Sequence, residues 1–102
     1  MPVRPKRAFC HAGGRFTSKA NGVKTGIWEC TPGGFDVMNR PNTESCHILP
    51  GKVKLTVYAA EGKENQVHML TAGDSFTLEL GSSVRWDVLE TVTKFFVIVE
   101  HK

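Results

Sequence analysis

The residue types best suited to chemistry in this chain sit close together in Glu44-Ser45-Cys46-His47-Ile48. Extended backbone sends alternate side chains to opposite faces, so Glu44, Cys46 and Ile48 share one face and His47 takes the other. A carboxylate held away from water could bind a metal, act as an acid or base with its pKa raised by burial, or hydrogen-bond a ligand. It could equally be a structural Glu satisfied by a backbone or tryptophan N–H. Cys46 reads either as a nucleophile or soft ligand, or as a buried thiol that packs as a small hydrophobe. His68 is out of phase with Val67 and Met69, so it could join Glu44 and Cys46 in a rebuilt site, although no local spacing supports one. Trp28 and Trp86, with Phe35 and Met38, would make an apolar pocket with indole donors for a small organic ligand, or would simply fill a core.

These residues must be positioned by strands. From Gly26 onward, short segments rich in Val, Ile, Leu, Thr and aromatics recur: 26–30, 44–49, 52–59, 66–70, 75–80, 84–89 and 94–100. Pro32-Gly33-Gly34, Pro41-Asn42, Pro50-Gly51, Glu61-Gly62-Lys63, Ala72-Gly73-Asp74 and Gly81-Ser82-Ser83 break them as turns. Val53, Leu55 and Val57 alternate with Lys52, Lys54 and Thr56. Phe76, Leu78 and Leu80 repeat the pattern, as do Val84, Trp86 and Val88. The last segment is apolar on both faces, and Phe96 and Ile98 are assigned to the outer one. No dozen residues show helical spacing, so the fold class is all-β, an eight-stranded jelly roll or similar sandwich. Residues 1–25 carry Pro2, Pro5, Gly13, Gly14 and Gly22 and are expected to form a basic arm with one possible edge strand; residues 26–102 are expected to form the barrel.

The order of landmarks resembles the cupin superfamily, whose signature runs G-x5-H-x-H-x3,4-E-x6-G and then G-x5-P-x-G-x2-H-x3-N. Glu44 is followed by six residues and Gly51, and Gly73 precedes Gly81 at the second motif's spacing. Gly26-Ile27-Trp28-Glu29-Cys30-Thr31-Pro32-Gly33, Ala72-Gly73-Asp74, Trp86 five residues after Gly81, and Val92-Thr93-Lys94-Phe95 look like the small cupins related to ureidoglycine aminohydrolase and ethanolamine-utilisation protein Q. The similarity covers residues 26–99. It implies a cupin jelly-roll barrel, or double-stranded β-helix, with Glu44 pointing inward. In the superfamily three histidines and the glutamate hold a divalent metal such as Mn, Fe, Ni or Zn. Here the histidine positions fall at or near Val37, Asn39 and Val84, and the second motif's proline and asparagine are Glu79 and Val88. Valine has no lone pair to offer, so Glu44 is the sole family ligand position retained and the metal site reads as degenerate or absent.

Composition bounds the function. The chain has 102 residues, 40% hydrophobic and 23% charged, which suits one globular core. No apolar run approaches the roughly 20 residues of a membrane-spanning helix. The amino terminus is basic without an apolar stretch behind it, which points to the cytoplasm. Net charge is +3, but the first 24 residues carry six cations and no acid, leaving −3 for the rest. Nucleic-acid binding is therefore not expected of the barrel. Cys10, Cys30 and Cys46 form no close pair and are expected to be reduced. The leading expectation is a barrel that binds a small polar or carbonyl-bearing metabolite, self-associating as a homodimer through the last strand. The alternatives are a metal-assisted enzyme of aminohydrolase or isomerase type, with Glu44 catalytic, and a structural or regulatory dimer module.

Overall fold

The computed structural model describes the backbone of residues 10–20 and all of residues 22–100. The basic residues Arg4, Lys6 and Arg7 lie outside it. Nine strands follow one another: β1 (Cys10–Ala20), β2 (Val23–Cys30), β3 (Gly33–Val37), β4 (Thr43–Ile48), β5 (Lys52–Val57), β6 (Gln66–Thr71), β7 (Ser75–Leu78), β8 (Val84–Glu90) and β9 (Val92–Val99). There is no helix among the described residues, and so none long and apolar enough to cross a membrane.

The strands form two antiparallel sheets, one of order β1-β2-β9-β4-β7 and one of order β3-β8-β5-β6. β1–β2 and β5–β6 join neighbours in one sheet, and every other connection crosses to the opposite sheet, the winding of a jelly roll. The inner faces meet in a core of Cys30, Ile48, Val53, Leu55, Leu78, Val84, Trp86, Val88 and Val92. Alternation explains its composition. In β8 Val84, Trp86 and Val88 are buried, while Arg85 and Asp87 face outward and pair with each other at 3.2 Å.

β3 was not expected, because Gly33-Gly34 reads as a turn. Gly34 is a strand residue whose missing side chain makes room across the sheet: a Cβ there would lie 2.4 Å from Arg85 Nη2 and 2.8 Å from Asp87 Oδ1. At the other landmark, Gly51 takes φ 122°, and a Cβ would meet the Val92 backbone at 2.5 Å. That glycine lets the β4–β5 turn press against the start of β9, where Thr93 N donates to Pro50 O at 2.9 Å.

Two expectations are corrected. Phe96 is 5% exposed and points into the barrel together with Ile98, because Lys94, Phe96 and Ile98 share the inner phase of β9. The outer face carries Phe95, Val97 and Val99 instead. The expectation of three reduced thiols also fails. Cys30 is disulfide-bonded and Cys46 is a free buried thiol. The β1–β2 register sets the Cys10 backbone opposite Cys30, a proximity invisible in the linear spacing.

Candidate functional site

Register assembles the site from the middle of both sheets. Glu44 lies opposite Ile98 on β9, and Lys94 lies opposite Trp28 on β2. In the other sheet Phe35 lies opposite Trp86. Arg40 comes from the β3–β4 loop, its backbone pinned by Arg40 N donating to Ser82 O at 2.9 Å and Gly81 N donating to Arg40 O at 2.7 Å. These side chains line a cavity of about 230 Å³ between the sheets.

At its centre one carboxylate faces two cations. Lys94 Nζ donates to Glu44 Oε2 at 2.7 Å, Arg40 Nη2 donates to Glu44 Oε1, and the Cys46 thiol donates to Oε2 at 3.2 Å. All are buried: Arg40 is 9% exposed, Glu44 4% and Lys94 5%. The Lys94 ammonium also sits 4.5 Å from the ring centroids of both Trp28 and Trp86, a double cation–π contact out of water. The two indoles are tilted at 52° with centroids 5.5 Å apart, and Phe35 stacks on Trp86 at 6.2 Å. The polar cluster is thus walled by aromatic faces that exclude solvent.

Burial sets the proton affinities. It pushes the Lys94 ammonium down from 10.5 to about 8, with the nearby Arg40 guanidinium adding to the effect and Cys46 opposing it. Burial also lowers Arg40. It raises the Cys46 thiol, against the pull of Lys94 and Arg40, so Cys46 stays protonated and acts as a donor rather than a nucleophile at neutral pH. The cluster carries a net charge of +1 when Lys94 is protonated. Arg40 Nε is buried without a hydrogen-bond partner, an unspent donor.

Of the residues singled out in the sequence, Trp28, Phe35, Glu44 and Trp86 line this cavity, and Cys46 supports Glu44 from beside it. Met38 does not belong: it is 57% exposed, because Phe35 and Val37 face inward and the residue after β3 falls on the opposite phase. His68 does not join Glu44 and Cys46 either. It is exposed on the edge strand β6 and lines a second cavity of about 470 Å³ with Leu55, Gln66, Phe76 and Glu79. Phe76 and Trp86, with centroids 5.8 Å apart, stand between the two cavities. The second cavity is larger, but it has no buried convergent charges.

Arg40 and Lys94 were missed. Lys94 was legible by parity once Phe96 is taken as inward. Arg40 lies in a turn, where alternation says nothing, and an Arg–Glu spacing of four is unremarkable outside a helix.

The donor set does not fit a divalent metal. Both Glu44 oxygens are engaged by cations, the neighbouring Arg40 and Lys94 carry positive charge rather than lone pairs, and the cluster is already net positive. Among the described residues no group of three or more His, Cys, Asp or Glu side chains is placed to hold an ion.

A family described as the EutQ-like cupin domain matches residues 17–96. No curated protein matches the sequence. Among solved structures, the chain is 37% identical to a DUF861 family protein from Thermotoga maritima, with TM-score 0.56, covering 69% of this chain and 73% of that one. It is similar in fold to the EutQ protein of Clostridium difficile at 15% identity and TM-score 0.72, covering 89% of this chain and 68% of that one. A putative ethanolamine utilisation protein Q from Salmonella typhimurium aligns at 18% identity and TM-score 0.65, covering 80% of this chain and 61% of that one.

Proposed function

The chain belongs to the EutQ-like cupin domain family, and we propose that its barrel is a binding site for a small carboxylate-bearing metabolite, held between Arg40 and Lys94. One observation carries this reading: two buried cations converge on a single carboxylate inside an aromatic-walled cavity. An anion entering there neutralises the surplus charge and meets the Arg40 guanidinium in the cavity wall, a group suited to charge-assisted hydrogen bonds with carboxylates. A cavity of about 230 Å³ suits a compact ligand of a few heavy atoms more than a cofactor. Trp28, Phe35 and Trp86 would cover its apolar part.

The chain has only two tryptophans, and both line the cavity, so intrinsic fluorescence reports on this site. Titration with lactate should give a saturable fluorescence change, and lactamide, the uncharged analogue, should give none. Arg40→Gln should weaken the lactate response by roughly tenfold or more, the loss of one charge-assisted hydrogen bond. Equal responses to lactate and lactamide, or none to either and to other small monocarboxylates, would refute the reading.

A further inference from the structure

We propose that Lys94 is a nucleophilic amine that captures the carbonyl carbon of a small 2-oxo acid as a Schiff base. This rests on the binding reading above and adds to it the reactive half of the ligand.

The geometry is that of an amine prepared for carbonyl chemistry. Lys94 projects from the centre of β9, a strand paired on both sides by β2 and β4, so its backbone is fixed. Its Nζ is packed against two indole faces at 4.5 Å and sits 2.7 Å from a carboxylate that can take a proton from it. Among the described residues, the titratable or charged groups around it are Glu44 and Cys46 from β4, Arg40 from the loop before it, and Lys24 from β2 farther along the cavity wall. One acid among three cations makes the ammonium form costly. Burial brings Lys94 to about 8, which leaves a usable fraction of free amine near neutral pH.

The sequence of events balances without any further reagent. Glu44 accepts a proton from the Lys94 ammonium. The neutral Nζ attacks the carbonyl carbon, forming the C–N bond while the π pair moves to oxygen, and a proton passes from the new C–NH2+ nitrogen to that oxygen, giving a neutral carbinolamine. The nitrogen lone pair then forms the C=N bond as that hydroxyl leaves with the proton returned by Glu44, and one water molecule is released. Arg40, in the cavity wall, holds the ligand carboxylate throughout by the charge of its guanidinium. The aromatic walls limit water access to the imine, which slows its hydrolysis.

The test is trapping with pyruvate and sodium cyanoborohydride on the intact protein, followed by peptide mapping. The expected result is one 1-carboxyethyl group, found on Lys94 at least about tenfold faster than on the exposed Lys54 and Lys63 at neutral pH. Its rate should climb as pH rises through about 8, not near 10.5. Lys94→Arg should abolish labelling of that peptide. Because the wild-type map stands alone, a folding defect in the variant leaves the test intact. Lactate, which has the carboxylate and lacks the carbonyl, separates the two claims. If lactate changes the fluorescence but pyruvate labels Lys94 no faster than Lys54, the Schiff-base proposal falls and the binding site stands. If neither occurs, both fall.

Discussion

The sharpest consequence concerns Glu44→Gln. The substitution keeps the size of the side chain and removes the single negative charge that serves Arg40 and Lys94. The cost can be worked from the two cations separately. Lys94 is already depressed from 10.5 to about 8 in the folded protein, worth roughly 3 kcal/mol. Without Glu44 it can shed its proton, which at pH 7 limits its total penalty to about 5 kcal/mol and its added penalty to about 2 kcal/mol. Arg40 has no such escape, since its guanidinium stays charged at any ordinary pH and, at 9% exposure, it cannot recover its hydration in place. Leaving it unpaired should cost about 2–3 kcal/mol, and the sum of about 4–5 kcal/mol agrees with the 3–5 kcal/mol typical of a broken buried pair. For a chain of this size each kcal/mol moves Tm by roughly 4–8 °C, so Tm should fall by at least about 12 °C. Thermal unfolding followed by tryptophan fluorescence and by circular dichroism measures it. Adding Lys94→Met to Glu44→Gln should return part of the loss. A Glu44→Gln protein melting within about 4 °C of the wild type would show that the cluster is hydrated, and the reasoning would fail.

Other measurements bear on the same cluster. Lys94 binds fewer protons folded than unfolded between about 8 and 10.5, so its contribution to stability should grow as pH rises from 8 towards 9; Lys94→Met, compared with wild type by urea unfolding, should lose that rise. Cys46 is buried with its thiol raised by desolvation, so iodoacetamide at pH 8 should alkylate it only in denaturant; rapid labelling of the native protein would contradict its placement. Trp86 is 2% exposed and touches Trp28, Phe35 and Phe76, so Trp86→Ala should cost about 3–5 kcal/mol by urea unfolding, as a cavity opens at the centre of the core. Trp28→Phe, on the half-buried side, should be far milder for stability while weakening the lactate response.

Much of the architecture could be read from period-two alternation alone, because burying one face of a strand constrains every second residue. Val53 and Leu55, Val84, Trp86 and Val88, and Glu44 with Cys46 and Ile48 all sit on the inner face that their phase implies. Where alternation weakens, so does the reading. β9 is apolar on both faces, so its phase was ambiguous and Phe96 was assigned outward, which concealed Lys94. Gly33-Gly34 imitates a turn, because sequence does not reveal that a strand needs glycine to admit the Arg85 and Asp87 side chains of its neighbour.

The linear order of residues determined the strands, the glycine landmarks and the lone inward acid, since these depend on local backbone geometry and on which side chains avoid water. The tertiary structure alone decided what that acid meets. Arg40, Glu44 and Lys94 come from a turn and two strands, with Glu44 and Lys94 separated by fifty positions, and only register and loop closure bring their charges within a few ångströms. Whether an inward carboxylate holds a metal or a pair of cations is an electrostatic question about three-dimensional neighbours, and in this barrel the neighbours are positive.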